Sequence, residues 1–118
     1  METGELIEKP WGSERILDLN SRYCVKHLLI KAGHRIREQY HCNKRETMIM
    51  LHGPVELTRG SIGTDLETLL MQEGTPYIIE PGVIHRLRAP GPEDGLVLEI
   101  SSTELDDVVR LNDDYGRV

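Results

Sequence analysis

The chain has 118 residues, the length of one domain, and its 38% hydrophobic and 29% charged residues are the usual balance of a soluble globular fold. A formal charge of −6 argues against nucleic acid or an anionic membrane as partner, since both repel a net anion. No stretch approaches the ~20 apolar residues of a membrane span. Phe is absent and aromatics total 4%, so the core is predicted to be aliphatic, built from Leu, Ile, Val and Met.

The opening METGELIEKP is polar and lacks the charged-then-apolar layout of a secretory leader, so cytoplasm is the expected compartment. Cys24 and Cys42 are accordingly expected as free thiols. Trp11 follows Pro10 and is expected to plug one end of the fold or to pack across a dimer. Residues 23–31, YCVKHLLIK, are rich in β-formers and stop at an Ala32-Gly33 turn. Further strands are predicted at 48–51, 55–58, 66–71, 77–79, 84–88 and 96–101. Gly and Pro punctuate nearly every junction, and the spacing of about 8 to 12 residues favours a sandwich or barrel. One short helix is predicted at 103–108, with Ser102 or Thr103 as N-cap and Glu104, Asp106 and Asp107 in its first turn. No linker, repeat or low-complexity segment interrupts 1–118, which reads as a single all-β domain.

Two stretches concentrate chemistry. The first runs from Gly33 to Gly53 and contains Gln39 and His41, two apart and therefore on one face of a strand. Glu46 follows a polar turn, Cys42-Asn43-Lys44-Arg45, and a hairpin there would fold it back beside His41. The second is Glu80-Pro81-Gly82-Val83-Ile84-His85, a tight turn that aims a histidine off the start of a strand. Two imidazoles, a carboxylate and an amide oxygen suit one divalent ion, Zn, Mn, Fe, Co or Ni. From spacing alone, a histidine after a turn is equally well read as an ordinary surface residue.

The pattern Gly33-x5-Gln39-x-His41-x4-Glu46-x6-Gly53, followed by Pro81-Gly82-x2-His85, resembles the paired motifs of the cupins. More closely, the chain is similar to the C-terminal cupin domain of type II mannose-6-phosphate isomerases, which are often fused to a mannose-1-phosphate guanylyltransferase. The matching stretches are Lys9-Pro10-Trp11-Gly12, Val25-Lys26, Gly82-Val83-Ile84-His85-Arg86-Leu87, Asp106-Asp107-Val108-Val109-Arg110 and Asp113-Asp114-Tyr115-Gly116-Arg117. The resemblance implies a jelly-roll barrel and a metal set of Gln39, His41, Glu46 and His85. Gln where cupins generally carry His implies a sugar isomerase more than a dioxygenase. The chain departs from the family where a run of histidines becomes His41-Cys42-Asn43, where Glu80 replaces the usual Pro, and where Ala89 replaces a late Asn.

Lys26 interrupts the apolar run VKHLLI, and is read either as a cavity residue, orienting an oxygen or transferring a proton with a depressed pKa, or as a lysine snorkelling to water. Glu99 in LVLEIS is read as cavity or outer face, with the family resemblance favouring the cavity. Arg35, Arg37, Lys44, Arg45, Arg86 and Arg88 surround the motifs of an acidic protein and suit a phosphorylated guest. Arg37 and Arg45 are expected ahead of Arg86 and Arg88, which alternate with Leu87 and should point outward if His85 points inward. Met48 and Met50 are expected in the core, and His27 and His52 outside any site.

The function implied is aldose–ketose isomerisation of a sugar phosphate through an enediol, with Lys26 and Glu99 as candidates for the base. The rival readings are a non-catalytic cupin that binds a sugar or nucleotide sugar, and an Fe(II) dioxygenase. A homodimer is expected by analogy with the fold.

Overall fold

The computed structural model describes residues 1–104 and 106–112, and within them every regular element is a strand. The strands are β1 (Leu6–Lys9), β2 (Gly12–Leu19), β3 (Cys24–Ile30), β4 (Glu38–Tyr40), β5 (Glu46–His52), β6 (Glu56–Gly60), β7 (Glu67–Leu70), β8 (Pro76–Ile79), β9 (Ile84–Arg88), β10 (Gly95–Ser101) and β11 (Val109–Asn112). They form a six-stranded sheet, ordered β1-β2-β3-β10-β5-β8, and a five-stranded sheet, ordered β11-β4-β9-β6-β7. Every pairing is antiparallel. The expected all-β jelly-roll barrel is the observed fold.

Alternation explains the strands that carry the barrel. In β3, Cys24, Lys26, Leu28 and Ile30 are buried while Val25, His27 and Leu29 are not, a period of two. β10 repeats the pattern, burying Gly95, Val97, Glu99 and Ser101. The core between the sheets is the aliphatic one foreseen, built on Ile30, Met48, Met50, Val55, Leu57, Ile79, Leu87 and Val97, with Trp11 only 1% exposed among them. Trp11 sits on the turn between β1 and β2, just before Gly12. A Cβ on Gly12 would lie 1.8 Å from the Leu29 carbonyl oxygen, so only glycine lets β2 approach β3 this closely.

Two expectations are corrected. No helix forms at 103–108 in the described residues: Asp107 N–H returns to the Glu104 carbonyl at 3.3 Å, Val108 N–H to Asp106 at 3.0 Å, and the chain enters β11. The Asp107 carboxylate is spent on another segment's backbone, which removes the first-turn anion a helix would use. The segment 42–45 is likewise not a hairpin. It is a corner that carries the chain from β4 in one sheet to β5 in the other. The tail residues Asp113, Asp114, Tyr115 and Arg117 lie outside the described residues.

Candidate metal centre

Gln39, His41, Glu46 and His85 come from three strand ends and meet inside the barrel. Gln39 on β4 is in direct register with His85 on β9, so both side chains share one face. The corner 42–45 then delivers Glu46 from the opposite sheet. His41 Nε2 is 2.6 Å from Glu46 Oε1, His85 Nε2 is 3.3 Å from the same oxygen, and the two imidazole centroids are 5.3 Å apart. One ligand atom from each of His41, Glu46 and His85 lies within 4.8 Å of the others. All three residues are at most 4% exposed.

Gln39 Oε1, His41 Nε2, both Glu46 oxygens and His85 Nε2 are buried and have no hydrogen-bond partner of acceptable geometry. Buried polar atoms left this way are costly, and the His41, Glu46 and His85 atoms among them lie close enough together to share a cation. The other nitrogen of each imidazole is engaged: His41 Nδ1 with the Asp107 carbonyl and His85 Nδ1 with the Val83 carbonyl at 3.0 Å. A carbonyl only accepts, so each Nδ1 carries the proton and each Nε2 presents its lone pair inward. The His/Glu/His cluster, with Gln39 beside it, has the donor chemistry of a divalent-ion site.

Asp107 organises the corner twice over. While its carbonyl holds His41, its carboxylate accepts the backbone N–H groups of Cys42 at 3.0 Å, Asn43 at 2.5 Å and Lys44 at 3.0 Å. The Asn43 bond leads those that hold the Asp107 carboxyl below its usual pKa. Gly82 N–H adds a 2.7 Å bond to the His41 carbonyl, tying the two motifs together.

Above the donors lies a cavity of about 400 Å³ whose wall includes Lys26, Arg37, Gln39, His41, Lys44 and Glu99. Arg110 also reaches it, because β11 sets Arg110 in register with Gln39. Lys26 faces inward opposite Glu99, 3.7 Å from Glu14, and is 6% exposed. Burial would lower its pKa, but Glu99 and Glu14 outweigh burial and raise it, so the depressed value expected of a neutral base is not found. Burial, and then the Glu46 charge, push Glu99 well above the ordinary carboxylate range. Burial also opposes the Glu46 charge, yet the Glu99, His41 and His85 side chains prevail and hold it well below that range.

The structure separates the basic residues. Lys44 is buried, 3.9 Å from Glu99. Arg45, the next residue, points away from the cavity and pairs with Glu80 on the surface. Arg88 is exposed and bonds Glu56 at 3.0 Å. Arg86 is not outward as expected but 9% exposed, because its Nε donates to the Ile36 carbonyl at 2.7 Å and the 35–37 segment covers it. Met48 and Met50 are buried, His52 is exposed, and both cysteines are free. Sequence reasoning missed Asp107 and Arg110 as parts of this site, their only early signal being the Asp106-Asp107-Val108-Val109-Arg110 run, and named Lys44 among six basic residues without ranking it first.

Two antiparallel sheets closed around inward-facing His, Glu and Gln side chains define a cupin. Within that class the chain belongs to the mannose-6-phosphate isomerase C-terminal family, whose model matches residues 1–113. It is 35% identical over 114 residues to the xanthan biosynthesis protein XanB of Xanthomonas campestris, covering 94% of this chain and 23% of that one. The alginate biosynthesis protein AlgA of Pseudomonas aeruginosa is 33% identical with the same coverage. The mannose-1-phosphate guanylyltransferase ManC of Salmonella typhimurium is 32% identical, over 95% of this chain and 23% of its own. The chain thus spans about a quarter of the length of these relatives.

Solved structures confirm the fold. The capsular polysaccharide assembling protein CapF of Staphylococcus aureus superposes with a TM-score of 0.78 at 14% identity, over 92% of this chain and 34% of its own. Oxalate decarboxylase of Bacillus subtilis, a protein with Mn(II) centres, gives 0.78 at 20% identity over 91% and 30%. No helix among the described residues is long and apolar enough to cross a membrane.

Proposed function

We propose that the chain is a metal-dependent isomerase acting on a phosphorylated sugar, interconverting an aldose and a ketose as in mannose 6-phosphate and fructose 6-phosphate. The observation that carries this reading is the buried His41, Glu46 and His85 cluster, with His41 and Gln39 also lining a cation-rich cavity that holds Glu99. A divalent ion held by these four residues would polarise the carbonyl of the open-chain sugar.

The chain's own residues divide the remaining work. Glu99 is the cavity carboxyl next to the floor, and it carries the proton between C1 and C2. Lys26, kept protonated by Glu14 and Glu99, donates to a sugar oxygen and does not act as base. Lys44, Arg37 and Arg110 line the same cavity and offer the cationic donors that a phosphate requires. Arg45 takes no part, since its guanidinium is held outside by Glu80.

The test is to incubate metal-loaded protein with mannose 6-phosphate in heavy water, following both isotope and product by NMR. Deuterium at C1 or C2, ketose formation and no oxygen consumption are expected. Binding without label or conversion, across several aldose phosphates and metals, would leave a sugar-binding cupin. Oxygen uptake would indicate an iron oxygenase.

A further inference from the structure

Trp11 carries an unused hydrogen-bond donor in the core. Its side chain is 1% exposed, and its indole Nε1 is buried with no hydrogen-bond partner among the described residues. A buried N–H without an acceptor is costly, and a core tryptophan ordinarily finds one. Trp11 stands in the wall of a second, smaller pocket of about 30 Å³, whose apolar side is Leu28, Ile36, Met48 and Leu87. Arg86 also lines this inner pocket, but its Nε is committed to the Ile36 carbonyl. The inner pocket and the 400 Å³ cavity share Glu14, Arg37, Gln39 and Glu99 as common walls. The proposed metal ligands divide between the two spaces: His41 lines the outer cavity, His85 the inner pocket, and Gln39 both. The donor cluster and Glu99 therefore sit at the boundary.

We propose that the inner pocket receives the reacting end of the sugar, C1 with its oxygen, and that Trp11 Nε1 donates a hydrogen bond to O1. This rests on the isomerase reading above and adds the residue that recognises the carbon terminus. Size decides which end enters. About 10–15 Å³ holds one water, so a pocket of about 30 Å³ takes on the order of two heavy atoms, one carbon and one oxygen. A phosphate is too large for it, and Arg37, Lys44 and Arg110 offer the phosphate a place in the outer cavity. In an exchange between C1 and C2, C1 is the only carbon beyond the reacting bond. A sugar with C2 at the boundary thus places one carbon inside, and the other carbons and the phosphate outside. O1 accepts hydrogen bonds as the aldehyde, as the enediol and as the hydroxymethyl group of the ketose, so one donor serves the whole reaction. The indole N–H donates and does not accept, so Trp11 holds O1 while Glu99 moves the proton. The pocket's size excludes a longer or branched terminus, which restricts the substrate to unbranched 1-aldoses and 2-ketoses.

The test uses two unreactive open-chain analogues, mannitol 6-phosphate and 1-deoxymannitol 6-phosphate, which differ only at O1. Their affinities for the metal-loaded wild type and Trp11→Phe are measured by isothermal titration, with circular dichroism as a check on folding. The wild type is expected to bind the first analogue about tenfold or more tightly than the second, because the deoxy compound leaves the indole N–H unpaired. Trp11→Phe keeps an aromatic ring and removes the donor, so the preference should shrink by about the same factor. A second readout needs no variant. The fluorescence of Trp11, the chain's only tryptophan, should shift with mannitol 6-phosphate and much less with the deoxy analogue. Equal affinity of the wild type for the two analogues, or a preference that survives in Trp11→Phe, would overturn the assignment and leave the isomerase reading standing. Should the variant fail to fold, the wild-type affinities and fluorescence decide alone. If neither analogue binds, the sugar phosphate itself leaves the account, and this assignment with it.

Discussion

His41 Nδ1 bonds the backbone carbonyl of Asp107, a residue 66 positions further along the chain. The same residue's carboxylate gathers three consecutive N–H groups of the corner that follows His41. The orientation of a proposed ligand is therefore set by a segment remote in sequence, just ahead of β11. Contacts of this kind tune metal sites about as strongly as a weak ligand does.

From this relationship, Asp107→Ala is expected to weaken metal binding by roughly tenfold to a hundredfold while the barrel stays folded. The carbonyl remains in the variant, so the loss would come from releasing the 42–44 N–H groups and loosening the corner. Competition with a chromophoric chelator measures it. An affinity equal to that of the wild type would remove Asp107 from the account.

Lys44 and Arg45 are neighbours with opposite fates, and that contrast can be tested directly. Lys44→Ala should weaken binding of mannose 6-phosphate by about tenfold or more, the scale of one charge-assisted hydrogen bond, with a smaller effect on mannose itself. Arg45→Ala should leave both affinities within about twofold, because surface pairs such as Arg45–Glu80 contribute little. Isothermal titration with the two sugars separates these outcomes. A larger loss in the Arg45 variant would place the phosphate elsewhere.

Glu99→Gln retains the shape of the cavity wall and removes the group that moves the proton. Turnover should fall by about 10² to 10⁴. Metal content and sugar-phosphate affinity should stay near those of the wild type. Near-normal turnover in this variant would reassign the base.

Gly12→Ala tests the packing that closes the barrel. The added Cβ would sit 1.8 Å from a backbone oxygen of β3, which cannot move aside as a flexible side chain could. A loss on the order of 2–3 kcal/mol in denaturant unfolding is expected. An unchanged midpoint would show that β2 shifts without cost.

How far the sequence disclosed this molecule depended on how local each signal was. β3, β5 and β10 announce themselves as runs of β-formers closed by Gly and Pro turns, and their alternation appears only in the burial of the folded strands. β2 hides because a bulge between Ile16 and Asp18 breaks its period, and β4 because three residues, EQY, are too few to show one. The stretch at 103–108 carries the acidic opening of a helix, yet its key carboxylate serves the 42–44 backbone, a contact that no local pattern encodes. Gln39, His41, Glu46 and His85 were legible as a set through the resemblance to cupin motifs, since spacing alone left the histidine after the turn equally well read as a surface residue. Whether Lys44 or Arg45 faced the cavity was not, because it depends on the corner between the two sheets. Lys26 and Glu99 were legible as misplaced charges in apolar strands, but their mutual pairing with Glu14 and Glu46 required the barrel to close.

The most direct test of the central claim, that four converging side chains hold a catalytic divalent ion, is elemental analysis by inductively coupled plasma mass spectrometry. It would compare the wild type with a His41→Ala/His85→Ala variant, both reloaded and dialysed identically. The account predicts about one ion per wild-type chain and almost none in a variant that remains folded, since removing two of four ligands abolishes tight binding. Equal metal content in the two proteins would contradict it.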